Sequence, residues 1–193
     1  MAAMAAAAAE VWKYGDPQNH DLKQAVAAHH GCTPAHVAIG PGIDGLLGLI
    51  CRLTLAPGVP VVTSLGAYPT FAFHVAGHGG TLTRVPYRET QEDPEALLDT
   101  ARAAKAHLAN PGNPMGSHHA AAGIEVLVAN LPEDTLLILN EAYADLAPDG
   151  SLPAIAPNHP QGIRFRTFSN GYVMAGVWIG HAIAEPALTQ AFD

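Results

Sequence analysis

Apolar positions change their spacing repeatedly along the chain, and the changes divide it into strand-like and helix-like segments. Leu46, Leu47, Ile50 and Leu53 recur at helical spacing within Ile43–Leu55, which predicts a helix led in by Gly40-Pro41-Gly42. Thr135–Leu139 is a continuous apolar run, as expected of a strand covered on both faces. Ile163–Phe168 sets Ile163, Phe165 and Phe168 against Arg164, Arg166 and Thr167, a strand-like alternation. His36–Ile39, Val59–Thr63, Thr81–Pro86 and Ile179–Ala184 read as further short strands. Helices are expected over Met1–Trp12, where alanine dominates, and from a cap at Asn19 or Asp21 to His30 before Gly31. Others are expected over Tyr68–Ala76, Pro94–Ala106 and Gly123–Leu131. Alternating strands and helices without an internal repeat predict one three-layer α/β domain over 1–193, its mostly parallel sheet lying between helices. The chemistry of such sheets sits in loops at the carboxyl ends of the strands.

Composition narrows the class. The 193 residues are 49% hydrophobic, which excludes a disordered chain and supplies ample core. The net charge of −8, without Lys or Arg clusters, argues against nucleic acid or anionic membranes as partners. Thr167–Ala184 carries no Asp, Glu, Lys or Arg and approaches the roughly 18-residue length of a membrane span. Ser169, Asn170, Gly171, Gly176, Gly180 and His181 are unsuited to hydrocarbon, so a buried turn and strand are expected there and no membrane partner. No basic region precedes the N-terminal alanines, so a cytoplasmic protein with Cys32 and Cys51 reduced is expected.

Several loop motifs follow one another in a fixed order. They are Gly40-Pro-Gly-Ile-Asp-Gly45, Ala67-Tyr-Pro-Thr70, Asn110-Pro-Gly-Asn-Pro-Met-Gly116, Leu139-Asn-Glu-Ala-Tyr143 and Thr167-Phe-Ser-Asn-Gly-Tyr172. Together they resemble fold-type-I pyridoxal-phosphate-dependent aminotransferases (class I/II), close to the histidinol-phosphate type, from about Ala5 to Phe192. The resemblance implies the large, cofactor-binding domain of that fold, pyridoxal phosphate as cofactor, a small amino acid or keto acid as substrate, and a homodimer. It also implies site residues. Gly40 and Gly42 would let the amides of Ile43 and Asp44 face a phosphate at a helix start. Tyr68 matches the aromatic residue that stacks on the pyridine ring. Asn113 and Tyr143 match the groups that hydrogen-bond the cofactor's phenolic oxygen, and Tyr14 the tyrosine that reaches a neighbouring subunit's phosphate. Thr167 and Ser169 stand where hydroxyls contact the phosphate.

The same comparison shows departures. After Thr-Phe-Ser the family has the lysine that forms the Schiff base, and this chain has Asn170, an amide without a nucleophilic amine. The aspartate that pairs with the pyridine nitrogen is Asn140, and the phosphate-binding arginine is Trp178. The expected outcome is a catalytically inactive domain whose cofactor binding is weak, noncovalent or lost. An active enzyme using a displaced amine such as Lys13 or Lys105 is one alternative; an interaction module or incomplete gene product is another. The family's N-terminal arm and small C-terminal domain are expected to be absent. Between Ala106 and Asn110 only His107-Leu108-Ala109 remain for a strand that needs about five or six residues, so a deletion shortening a central strand is expected.

Eleven histidines raise a metal reading. His74 and His78 are spaced to share a helix face, but no third ligand is identifiable, so no metal centre is expected. Glu141 is expected to point into the structure.

Overall fold

The computed structural model describes residues 2–101 and 104–193, so Met1 of the expected first helix lies outside the described residues. The elements are α1 (Ala2–Ala8), α2 (His20–His30), β1 (Val37–Gly40), α3 (Gly42–Thr54), β2 (Pro60–Ser64), α4 (Thr70–Gly77) and β3 (Thr81–Val85). They continue as α5 (Pro94–Thr100), β4 (Lys105–Ala109), α6 (Ala121–Ala129), β5 (Leu136–Asn140), β6 (Gly162–Thr167), β7 (Gly180–Ile183) and α7 (Pro186–Thr189). Among the described residues the strands form one seven-stranded sheet in the order β1-β7-β6-β5-β4-β2-β3. β3, β2, β4, β5 and β6 run parallel, and β7 is antiparallel to both β6 and β1. The apolar runs at β2 and β5 and the alternating segment at β6 are all interior strands of the sheet.

Alternation along the strands separates two cores. Val61, Ile138, Ile163, Phe165 and Ala182 pack against Leu46, Leu47 and Ile50 of α3 and Phe71 and Val75 of α4. Val62, Leu108, Leu137 and Leu139 face the other way, onto Leu97 of α5 and Ile124 and Leu127 of α6. A smaller cluster joins Val26 and Ala27 of α2 to Val37. The α3 stripe predicted from its spacing is the buried one.

Three expectations are corrected. The helix expected over Pro94–Ala106 stops at Thr100, and Lys105–Ala109 is a strand paired with β5 over its full length. The central strand is therefore not shortened. Alanine reads as helical by propensity, but Ala104 and Ala106 are buried in the core between sheet and helices, and tertiary burial overrides so weak a preference. Second, Asn19 holds the N-cap position of α2 as expected, but its backbone is left-handed and its side chain makes no cap bond. The Asp16 carboxylate accepts from the amides of Gln18 and His20 instead. Third, the helix expected from Tyr68 begins at Thr70, which leaves Tyr68 in the preceding loop.

Two local features shape the region where the loops meet. A Cβ built on Gly180 would lie 2.8 Å from the carbonyl carbon of Gly42 and 3.0 Å from the Arg166 carbonyl oxygen. Only glycine lets β7 press this closely on the start of α3, where Gly42 itself takes φ +69°. The second feature is a splayed pair of strands. β2 and β4 pair at Val61–Lys105 and Val62–Ala106, and no further pairs follow towards their carboxyl ends. Chain order reverses at this point of the sheet, the place where open α/β sheets form a crevice.

Candidate functional site

A cavity of about 410 Å³ opens at the carboxyl ends of the strands. Its lining includes Ile43, Asp44, Tyr68, Asn113, Asn140, Tyr143, Thr167, Ser169, Asn170 and Trp178. These residues are brought together from α3, the loop before α4, the loop after β4, the ends of β5 and β6, and the loop between β6 and β7. Tyr14 is not among them. It is fully exposed, away from the cavity.

The polar groups of the cleft hold one another in place. Asn113 Nδ2 donates to Tyr143 Oη at 3.3 Å. The amide N–H of Ala142 donates to Asn140 Oδ1 at 3.1 Å, and Asn170 Nδ2 donates to the Ala142 carbonyl at 2.9 Å. Ser169 N–H donates to Thr167 Oγ1 at 3.1 Å, and that hydroxyl donates to the Ile179 carbonyl at 3.2 Å. Asn110 anchors the loop that carries Asn113: its amide donates to the Ser151 carbonyl at 3.0 Å and accepts from His119 N–H at 2.8 Å.

Sequence reasoning missed His107 and Glu92. His107 lines the cavity floor, stacked on Phe71 with ring centroids 4.5 Å apart, and its Nδ1 lies 3.1 Å from Thr63 Oγ1. Burial holds its pKa down at about 4, so the ring is neutral at pH 7. Its Nε2 is buried without a hydrogen-bond partner among the described residues. Once β4 is placed at Lys105–Ala109, strand alternation puts His107 on the face of Ala109, which would have identified it. Glu92 crosses the splay between β2 and β4. Ser64 Oγ donates to its Oε2 at 2.6 Å and Ala109 N–H to its Oε1 at 3.3 Å. Burial pushes its pKa up to about 7, with both hydrogen bonds pulling the other way.

Charge is sparse here. Among the described residues lining the cavity there is no Lys or Arg, and Asp44 carries the only full charge. Asp44 sits in the first turn of α3 with its carboxylate 3.0 Å from His74 Nε2, while His78 lies past the end of α4. Lys105 opens β4 at the end of the strand remote from the cavity, so the expectation that it lies on a helix is corrected. Lys23 pairs with Asp193 at 2.7 Å, and Lys13 pairs with Glu10. Arg164 and Arg166 project from the opposite face of β6 onto the buried Glu141, at 3.0 and 2.8 Å.

The model of a known family, aminotransferase class I and II, matches residues 1–193. The chain belongs to this family. Histidinol-phosphate aminotransferase 1 of Mesorhizobium japonicum is 32% identical over all of this chain and 55% of its own length. An aromatic amino acid aminotransferase of Thermobifida fusca is 31% identical over 98% of this chain and 54% of its own. Among solved structures, histidinol-phosphate aminotransferase from Sinorhizobium meliloti, in complex with pyridoxal-5'-phosphate, superposes with a TM-score of 0.93 at 52% identity. That match covers 99% of this chain and 53% of the other. The chain spans about half the length of the curated relatives it matches.

Proposed function

We propose that this chain is an aminotransferase-family domain that does not perform Schiff-base chemistry and keeps its cleft as a noncovalent binding site. The observation that carries the reading is Asn170. Its amide stands in the cleft, tied to the Ala142 carbonyl at 2.9 Å, at the position where the family motif has the lysine. An amide nitrogen is neither nucleophilic nor basic enough to attack an aldehyde or shuttle a proton.

Pyridoxal phosphate supplies, when bound, the electron sink of transamination. The cleft fits it in size and in its pairing of Asn113 with Tyr143. It does not fit in charge. Asn140 gives the pyridine nitrogen no carboxylate, Trp178 gives the phosphate no guanidinium, and no lysine side chain lines the cavity among the described residues. The residues present therefore do not suit a covalently held, phosphate-anchored cofactor. The displaced-amine alternative finds no support in the positions of Lys13, Lys23 and Lys105. Tyr14, exposed and away from its own cleft, is available to a second copy of the chain, which agrees with a homodimer.

The test is an absorbance titration of the purified protein with pyridoxal phosphate, followed by borohydride and peptide mapping. No internal-aldimine band and no labelled lysine are expected; a stoichiometric band with one labelled lysine would overturn the reading. Restoring chemistry takes more than Asn170→Lys. A charge-assisted contact contributes on the order of 1.5–3 kcal/mol, so lacking two of them weakens binding by a few orders of magnitude. The band is expected in Asn170→Lys combined with Asn140→Asp and Trp178→Arg, and to be faint or absent at the same cofactor concentration with Asn170→Lys alone.

A further inference from the structure

We propose that the cleft selects an uncharged, planar nitrogen heterocycle over the phosphate ester of the same ring. This rests on the reading above that the site binds without covalent attachment, and it names the ligand chemistry that such a site takes.

The hydrogen-bonding halves left free define the ligand. Asn113, Asn140 and Asn170 each have one end of the amide engaged inside the protein and the other end without a partner among the described residues. Tyr143 accepts from Asn113, which leaves its hydroxyl hydrogen to give. These ends are aimed by bonds already made, so a ligand that meets them requires little side-chain ordering. The free set contains donors (Asn140 Nδ2, Tyr143 O–H) and acceptors (Asn113 Oδ1, Asn170 Oδ1), all neutral. It matches the edge of a heteroaromatic ring with ring nitrogen and hydroxyl substituents. Tyr68 and Trp178, both substantially exposed, supply aromatic surface against which a flat ring can stack.

The same cleft opposes an anion. The N-terminus of α3 would attract a phosphate, but Asp44 in its first turn already sets a carboxylate against the helix dipole. The guanidinium groups of Arg164 and Arg166 are spent on Glu141, on the other face of the sheet. A phosphate dianion entering the cavity would give up its hydration and meet no cation among the described lining residues.

The experiment is calorimetric titration of the 193-residue chain with pyridoxine and, separately, with pyridoxal phosphate at pH 7.5. Pyridoxine has no aldehyde, so its binding reads selection alone, whereas an aldimine band would defeat the function proposed above whatever the order of affinities. Pyridoxine is expected to bind at least about tenfold more tightly than the phosphate ester. Asn113→Ala is expected to weaken pyridoxine binding by roughly five- to tenfold, the range of one net hydrogen bond. Trp178→Arg, at an exposed position where folding is not at stake, is expected to reverse the preference towards the phosphate ester. Tighter binding of the phosphate ester by the unsubstituted chain overturns the proposal. So does absence of pyridoxine binding up to millimolar concentration.

Discussion

Replacing Glu141 by alanine is expected to lower the stability of the fold by about 3–5 kcal/mol, a large share of the roughly 5–15 kcal/mol that holds a typical domain together. Its carboxylate is 1% exposed and receives Arg164 Nε at 3.2 Å and Arg166 Nε at 2.8 Å, while its backbone N–H donates to the Phe165 carbonyl at 2.8 Å. Truncation leaves the guanidinium groups of Arg164 and Arg166, both largely buried, without their counter-charge. Guanidinium cannot escape by losing its proton, so the cost appears as lost stability. The melting temperature should fall by roughly 6–20 °C for a chain of this size. Glu141→Gln retains the volume and one acceptor oxygen and should cost less than the alanine variant. Urea unfolding followed by circular dichroism measures both. A loss below about 1 kcal/mol in Glu141→Ala would show that the buried ion cluster is dispensable.

The second large effect is a pH dependence assigned to Glu92. Its pKa is raised from 4.5 to about 7 in the folded protein, so the folded state holds the proton more tightly than the unfolded chain. The stability it contributes is fully present below pH 4.5 and is lost as pH rises through about 7. Over that window the loss approaches about 3 kcal/mol. Buried neutral histidines act with the opposite sign. His30 and His107, held down at about 4, and His181, at about 3, withdraw stability as pH falls below 6.5. The net curve is therefore composite, and the difference between the protein and its Glu92→Gln variant isolates Glu92. Urea unfolding at pH 5, 6, 7 and 8 should show the variant gaining stability relative to the parent as pH rises. A constant difference across the series would remove Glu92 as the source.

How much of this could be read from the chain depends on how local the cause is. The strand at Thr135–Leu139 was legible because burial on both faces writes itself into consecutive apolar residues, and the one at Ile163–Phe168 because Ile163 and Phe165 alternate with Arg164 and Arg166. The cleft was legible too, since its polar residues sit in Gly-, Pro- and Asn-rich loops whose order identifies the family. Pro94–Ala106 was misread because alanine favours a helix by local propensity, and tertiary burial overrides that preference in favour of a strand. Only the pairing of Lys105–Ala109 with β5 decides between them. Glu92 and His107 stayed hidden for a related reason. The bonds that define them reach Ser64, Ala109 and Thr63, far along the chain, and no spacing rule connects such positions.

The splay between β2 and β4 has a mechanical consequence. Past Val62 and Ala106 the sheet is closed by side chains alone: Thr63 to His107, and Ser64 through Glu92 to Ala109. Backbone ladders fix their own spacing, whereas side-chain struts take whatever length their residues have. The aperture of the crevice is thus an adjustable dimension, reset by substitution at Thr63, Ser64, Glu92 or His107 while the order of the seven strands is untouched. A fold that keeps its gauge in a few struts can change what it admits without being rebuilt.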